Sequence, residues 1–241
     1  MDILYVLGRH SKWENNELRL SLRSIEKFGK NVGRVFLVGH DPMFLSEYVT
    51  YIPHKDKYNK VCKQKNILDA ICYAVEHSDI GEEFLLSSDD HIYLKETDFD
   101  NYPFFCKGML PTDSKHKLYR KTLCDTRNIL IKNGLPFYNF SQHGNTHLFR
   151  RAIDIAKNLI EMASNTRFGC EPTCILLNAF YAQNAFDITK RSDLKISNDE
   201  DLNSMLAKTK DREVVSFNDY IHDSIKDYLF NLFPLKSKYE I

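Results

Sequence analysis

Four short apolar runs, separated by two segments of helical periodicity, fill the first 90 residues of this 241-residue chain. The run DILYVL at 2–7, closed by Gly8, has the unbroken apolar character of a strand covered on both faces. Asn15 and Asn16 are N-cap candidates for a helix whose Leu18, Leu22, Ile25 and Phe28 fall at helical spacing, and Gly29 closes it. GRVFLVG at 33–39 and VTYI at 49–52 read as two further strands, the latter stopped by Pro53. A helix is expected from about 60 to 77, with Ile67, Ile71, Ala74 and Val75 on its apolar side, and EFLLS at 83–87 is a fourth strand. This order predicts an α/β fold with a mostly parallel, Rossmann-type sheet flanked by helices and right-handed crossovers.

Sheets of that kind bind ligands beyond the carboxyl ends of their strands. The polar stretches 8–16, 40–42 and 88–91 fall at those ends. The second half is more helical: 150–163 and 219–233 carry helical apolar spacing, and 171–182 begins with Pro172 where a first helical turn accepts proline. No repeat or linker interrupts the chain, so residues 1–241 are expected to form a single domain.

Lys and Arg total 33 against 33 Asp and Glu, which removes any long-range attraction to a polyanion. No apolar run reaches the ~18–20 residues needed to span a bilayer. The opening MDILYVLGRHSKW lacks the basic start of a signal peptide, so a cytoplasmic location is expected. The six cysteines are then expected to be reduced thiols. G-x-x-x-x-G-K-[ST], G-x-G-x-x-G after the first strand and G-x-S-x-G are all absent, which disfavours a P-loop, a nicotinamide site and an α/β-hydrolase.

The most informative local feature is Ser87-Ser88-Asp89-Asp90-His91, between the strand EFLL and the apolar run 92–94. Two adjacent carboxylates repel each other, and a divalent cation removes that cost. Hard oxygen ligands suit Mg²⁺ or Mn²⁺, which reach substrate phosphates through one or two carboxylates. The plainer reading is an Asp-Asp turn. A second feature is the loop from Gly8 into the first helix, where backbone N–H groups can hold an anion. Arg9 offers a guanidinium for phosphate, Arg19 and Arg23 lie one helical turn apart, and Trp13 can stack on a base or sugar. A surface arginine stripe and a core-capping tryptophan are the competing readings.

His143-x₃-His147 and Cys170-x₃-Cys174 form a rival set of the kind that binds zinc. His143 is also a candidate late metal ligand or phosphate donor. Five lysines lie between positions 55 and 65, with Lys115, Lys117, Arg120 and Lys121 forming a second basic cluster. They suit a solvated loop, a diphosphate site or a nucleic-acid backbone.

DILYVLGRHSKWENNELRLSLRSIEKF followed by VGRVFLVG resembles the opening of bacterial and phage glycosyltransferase-like proteins, and is similar to the Stealth family of capsular sugar-phosphate transferases. Lys65-Asn66-Ile67, the 84–91 strand with its acidic pair, and Ser141-Gln142-His143 ahead of a helix resemble later blocks in the same order. The resemblance covers roughly residues 2–182, whereas 185–241 resemble nothing nameable. It implies a GT-A-like nucleotide-sugar fold, with Asp89 and Asp90 serving the cation and the donor. It also implies that Gly8, Arg9, Asn16, Glu17, Arg19, Lys65 and Asn66 line the donor pocket. The acidic block here is D-D-H rather than D-x-D.

The expected activity is a metal-dependent glycosyltransferase, using Mn²⁺ or Mg²⁺ and a UDP- or GDP-type donor, with Glu171 or Asp89 as the base at the acceptor hydroxyl. The acceptor is a glycan, or modified DNA bases as in a phage-type enzyme. Sugar-1-phosphate transfer of the Stealth type is the alternative chemistry, and a nucleic-acid-binding module the non-enzymatic one.

Overall fold

The DILYVL run is almost wholly enclosed, with Ile3, Leu4 and Tyr5 at no more than 1% exposure. The computed structural model describes residues 1–9, 11–114, 117–140, 146–185, 187–190, 193–217 and 220–241. In chain order the first half holds β1 (Asp2–Leu7), α1 (Asn16–Phe28), β2 (Gly29–Lys30), β3 (Val35–Gly39), β4 (Val49–Pro53), α2 (Lys63–Glu76), β5 (Glu83–Ser87), β6 (His91–Tyr93), β7 (Thr97–Asp98), β8 (Phe104–Cys106) and β9 (Gly108–Met109). The second half holds α3 (Leu118–Lys132), β10 (Tyr138–Asn139), β11 (Thr146–Phe149), α4 (Arg150–Ile155), α5 (Lys157–Asn165), α6 (Pro172–Tyr181), β12 (Ile188–Lys190), β13 (Leu194–Lys195), α7 (Leu202–Thr209), β14 (Val214–Ser216) and α8 (Asp223–Leu232).

The main sheet runs β11-β5-β1-β3-β4. The four sequence-predicted strands pair in parallel, with Tyr5 opposite both Leu37 and Ser87, and Gly39 opposite Pro53. β11 closes the β5 edge antiparallel, Thr146 opposite Leu86. The resemblance set a helix after His143; the strand β11 comes before that helix, which begins at Arg150. The helix expected over 150–163 is two, α4 and α5, which meet at Ala156 (φ −87°, ψ 5°), a break that no residue type there announces.

Alternation along β1 sends its side chains into two cores. Leu4 joins Phe36, Val38, Phe84 and the apolar faces of α2 and α6. Ile3, Tyr5 and Leu7 meet Leu18, Leu22 and Ile25 of α1 on the other face. A third core lies beyond α1, where Leu20 and Ile92 pack on Val215, Phe217, Ile225 and Leu229. The small sheet β13-β14-β6 carries part of that core. The C-terminal residues, which bear no recognisable motif, thus wrap the first helix and reach the carboxyl end of β5.

Candidate active site

Ser88 breaks the ladder after β5, and Asp89 and Asp90 make the turn into β6. Both carboxylates are half-buried. His91, buried in β6, places Nε2 3.7 Å from Asp90 Oδ1. β14 lies between β6 and β13, with Ser216 opposite both His91 and Lys195. That pairing delivers the Lys195 ammonium 3.6 Å from Asp90 Oδ2. Burial pushes the Asp90 carboxyl above the usual carboxylate range, against the pull of Lys195 and of Lys63 at the start of α2. Asp90 therefore faces two cations that the sequence did not associate with it.

One strand over, β1 ends in Gly8 and Arg9, both exposed. Beyond β1, β3 and β4 opens a cleft of about 610 Å³, bordered by Arg9, His40, Asp41, Tyr51, His54 and Tyr73 among others. The Tyr51 hydroxyl donates to Gly39 O (3.0 Å), and His54 Nε2 lies 2.8 Å from Asp69 Oδ2, so the lining is held from behind. Carboxyl ends of four neighbouring parallel strands thus present, in order, an acidic pair, an arginine loop and a polar cleft. His40 and Asp41 border the cleft at the strand end where the sequence placed the 40–42 stretch, whereas Tyr51, inside β4, is a lining residue the sequence left unmarked.

The loop from Gly8 to α1 is organised by Ser11. Its Oγ accepts from Trp13 N (3.1 Å) and Asn15 N (2.9 Å) and donates to Glu17 Oε2 (3.0 Å). Glu14 and Asn15 both sit in the left-handed region (φ 55° and 57°). Asn15 is the N-cap by position, but its side chain makes no capping bond. Glu17 is buried at the base of this loop, and Asn16 opens the helix half-buried.

Trp13 turns to the third core, edge-on to Phe217 and Phe230 at 6.3 and 5.5 Å, with Lys226 over its ring. The Arg19 guanidinium lies 3.7 Å over the Phe44 ring and pairs with Glu240 (3.0 Å), and Arg23 grips the same carboxylate. Trp13 takes the core-capping place weighed from the sequence, whereas Arg19 and Arg23 form no surface stripe and instead hold an enclosed carboxylate.

Asn66 is buried and clasps Tyr58 at both ends, accepting from its N–H (2.9 Å) and donating to its C=O (3.0 Å). Lys65 lies 5.2 Å over the Tyr58 ring. Glu171 is the N-cap of α6, its Oε2 accepting from Cys174 N (2.8 Å) and Thr173 Oγ1 (2.6 Å). Burial pushes its carboxyl up, and these bonds pull back. The structure thus gathers Gly8, Arg9, Asp89 and Asp90 along one strand-end row, and leaves Trp13, Arg19 and Glu171 engaged with neighbouring packing or caps.

His143 lies outside the described residues. His147 sits in β11, buried, with Nδ1 2.9 Å from Glu83 and its ring stacked on Tyr102. All six cysteines are free thiols. Among the described residues no three His, Cys, Asp or Glu side chains gather into a metal cage. Asp89 and Asp90 by themselves offer the hard oxygens that Mg²⁺ or Mn²⁺ takes when substrate phosphates complete the shell, so the donor set fits a cation held jointly with a diphosphate. Among the described residues no helix is long and apolar enough to cross a membrane.

The structure of the galactosyltransferase LgtC in complex with donor and acceptor sugar analogues is similar to this chain end to end, covering 98% of it and 96% of LgtC, at a TM-score of 0.55 and 10% identity. The mostly parallel sheet flanked by helices is therefore the GT-A-like glycosyltransferase fold. No protein-family model matches the sequence, and no curated protein matches it. The likeness to Stealth proteins rests on the quoted residues alone.

Proposed function

We propose that this chain is a nucleotide-sugar-dependent glycosyltransferase acting as one domain in the cytoplasm. The observation that carries the reading is the placement of Asp89-Asp90 at the end of β5, one strand from Arg9 and the polar cleft, in a GT-A-like sheet. In the reaction the bond between the sugar anomeric carbon and the diphosphate oxygen breaks. A bond from the acceptor oxygen to that carbon forms, and the hydroxyl proton passes to a base. Arg9 and Lys195 set fixed positive charge where the diphosphate leaves, and Lys65 extends that charge along the start of α2. Asp89 and Asp90 would hold Mn²⁺ or Mg²⁺, which neutralises the charge growing on the leaving nucleoside diphosphate when bound. Of the two base candidates, Asp89 stands at the strand ends, whereas Glu171 is committed to its helix cap. Gly8 leaves the loop open, since nothing lies within 4 Å of a Cβ built there. Glu17 shapes that loop through Ser11.

Thermal shift with UDP, GDP and CDP, each with and without Mn²⁺, tests the reading. The parent should be stabilised by one diphosphate in the presence of Mn²⁺. Asp90→Asn should keep the ligand-free melting point and lose that response. A variant that responds as the parent does refutes the assignment. Product analysis, glycosidic bond against phosphodiester, separates glycosyl transfer from sugar-1-phosphate transfer.

A further inference from the structure

The basic segments noted in the sequence, 55–65 and 117–121, are far apart in the chain but adjoin one surface. Residues 167–169 bridge them. Cys62 Sγ donates to Arg167 O (3.5 Å), and a Cβ on Gly169 would meet Lys65 and Gln64 of α2. On the other side the Lys121 ammonium lies 5.4 Å from the Phe168 ring centre, and the Arg167 guanidinium 4.9 Å from it. Lys60, Lys63, Lys117, Lys121 and Arg167 are all exposed, and none makes an ion pair among the described residues. The nearby acids do not cancel them: Asp113 is taken by Arg120, and Asp125 alone faces Lys121.

Exposed apolar side chains sit within these cations. Val61 is 44% exposed beside Lys60, Leu118 is 44% exposed beside Lys117, and Tyr119 follows at 38%. In a chain with balanced charge, five exposed cations against Asp56 and Asp125 make this a local excess of one sign.

We propose that this face docks on a bilayer surface rich in anionic headgroups. The cations meet the negative surface potential, and Val61 and Leu118 enter the boundary between headgroups and acyl chains. A nucleic-acid backbone fits less well. Single strands are held by free aromatic faces. Here Phe168 already carries Lys121 and Arg167, and Tyr58 carries Lys65. Exposed aliphatic side chains gain nothing from a phosphodiester chain and do gain from lipid. Lys63 also faces Asp90, so docking would set the strand-end row beside the membrane. The inference does not depend on which group the site transfers.

The experiment is co-sedimentation of the full chain with vesicles of phosphatidylcholine alone and with added phosphatidylglycerol, at low and high salt. Binding should require phosphatidylglycerol and weaken with salt. The triple variant Lys60→Gln, Lys121→Gln, Arg167→Gln should bind about a hundredfold more weakly, because each basic residue near an anionic surface contributes roughly fivefold. The pair Val61→Ser, Leu118→Ser should also bind more weakly while keeping its salt dependence. All five positions are exposed, and a circular-dichroism melt confirms that each variant folds. Absence of parent binding to anionic vesicles overturns the proposal, as does a triple variant that binds like the parent. Preference for a single-stranded oligonucleotide over vesicles at equal phosphate overturns it as well.

Discussion

Arg23 and Glu240 close the chain on itself across 217 positions: Nε and Nη2 of the guanidinium each donate to one carboxylate oxygen at 2.8 Å. Arg19 adds a third bond at 3.0 Å, and Ser237 donates both N–H (2.9 Å) and Oγ (3.0 Å). The Glu240 side chain is fully enclosed. Burial alone would raise its pKa, but Arg23, the Ser237 N–H and Arg19 outweigh it and bring the carboxyl from 4.5 down to about 2. The native state thus favours the ionised form. Its stabilisation is complete above about pH 4.5 and is lost as pH falls toward 2. That shift corresponds to about 3 kcal/mol. Glu240→Gln should lower the urea unfolding free energy at pH 7 by roughly 2–4 kcal/mol. Its stability should also fall less steeply than the parent's between pH 5 and 3. Parallel pH profiles for the two proteins would show that Glu240 is not the group titrating.

Gly169 (φ +90°) holds the crossing between the 167–169 segment and α2. A Cβ there would lie 2.8 Å from Lys65 Cγ and 2.9 Å from Lys65 N, and the backbone atom cannot rotate away. Gly134 (φ +66°) shares the left-handed backbone but faces open space. Gly169→Ala should therefore cost about 2 kcal/mol or more, and Gly134→Ala about 1 kcal/mol. Denaturant melts of the two variants make the comparison; equal losses would mean that α2 shifts to accept the methyl group.

The parallel sheet was legible because its strands are apolar on both faces, and DILYVL, GRVFLVG and EFLLS show this without alternation. The acidic pair was legible because it follows such a strand. Lys195 and Glu240 were not. Each acts on a partner more than 100 positions away, and nothing in its neighbours signals that partner. Arg19 and Trp13 illustrate the converse. Their residue types suit phosphate and base, yet the same guanidinium and indole also suit a buried carboxylate and an aromatic core, and only the C-terminal residues decide between them. Glu171 was read for its charge, although its place one residue before Pro172 also fits a helix N-cap.

Glu171 offers a test of that last distinction. As an N-cap it needs an acceptor oxygen and no charge, so Glu171→Gln should preserve most of the stability and donor binding. Glu171→Ala should leave Cys174 N–H unsatisfied in a buried setting, costing about 1–3 kcal/mol. A Glu171→Gln protein that melts like the parent but has lost all transfer would instead make Glu171 the base. Melting curves and transfer assays on the two variants give the answer together.

Lys195 tests how the C-terminal residues take part in the site. Its ammonium is 3.6 Å from Asp90 and about one-third exposed, so as a surface ion pair it contributes little to folding. Lys195→Gln should change the unfolding free energy by less than about 1 kcal/mol. Its proposed work is electrostatic, against a diphosphate that shares the Asp90 cation. Losing one charged hydrogen-bond donor to a phosphate costs about 1.5–3 kcal/mol, so nucleoside diphosphate affinity with Mn²⁺ should fall about tenfold or more. Lys195→Arg keeps the charge and should recover most of that loss. Titration calorimetry with the diphosphate and Mn²⁺ reads all three proteins directly. Unchanged affinity in Lys195→Gln would confine Lys195 to pairing with Asp90 and remove it from the donor site.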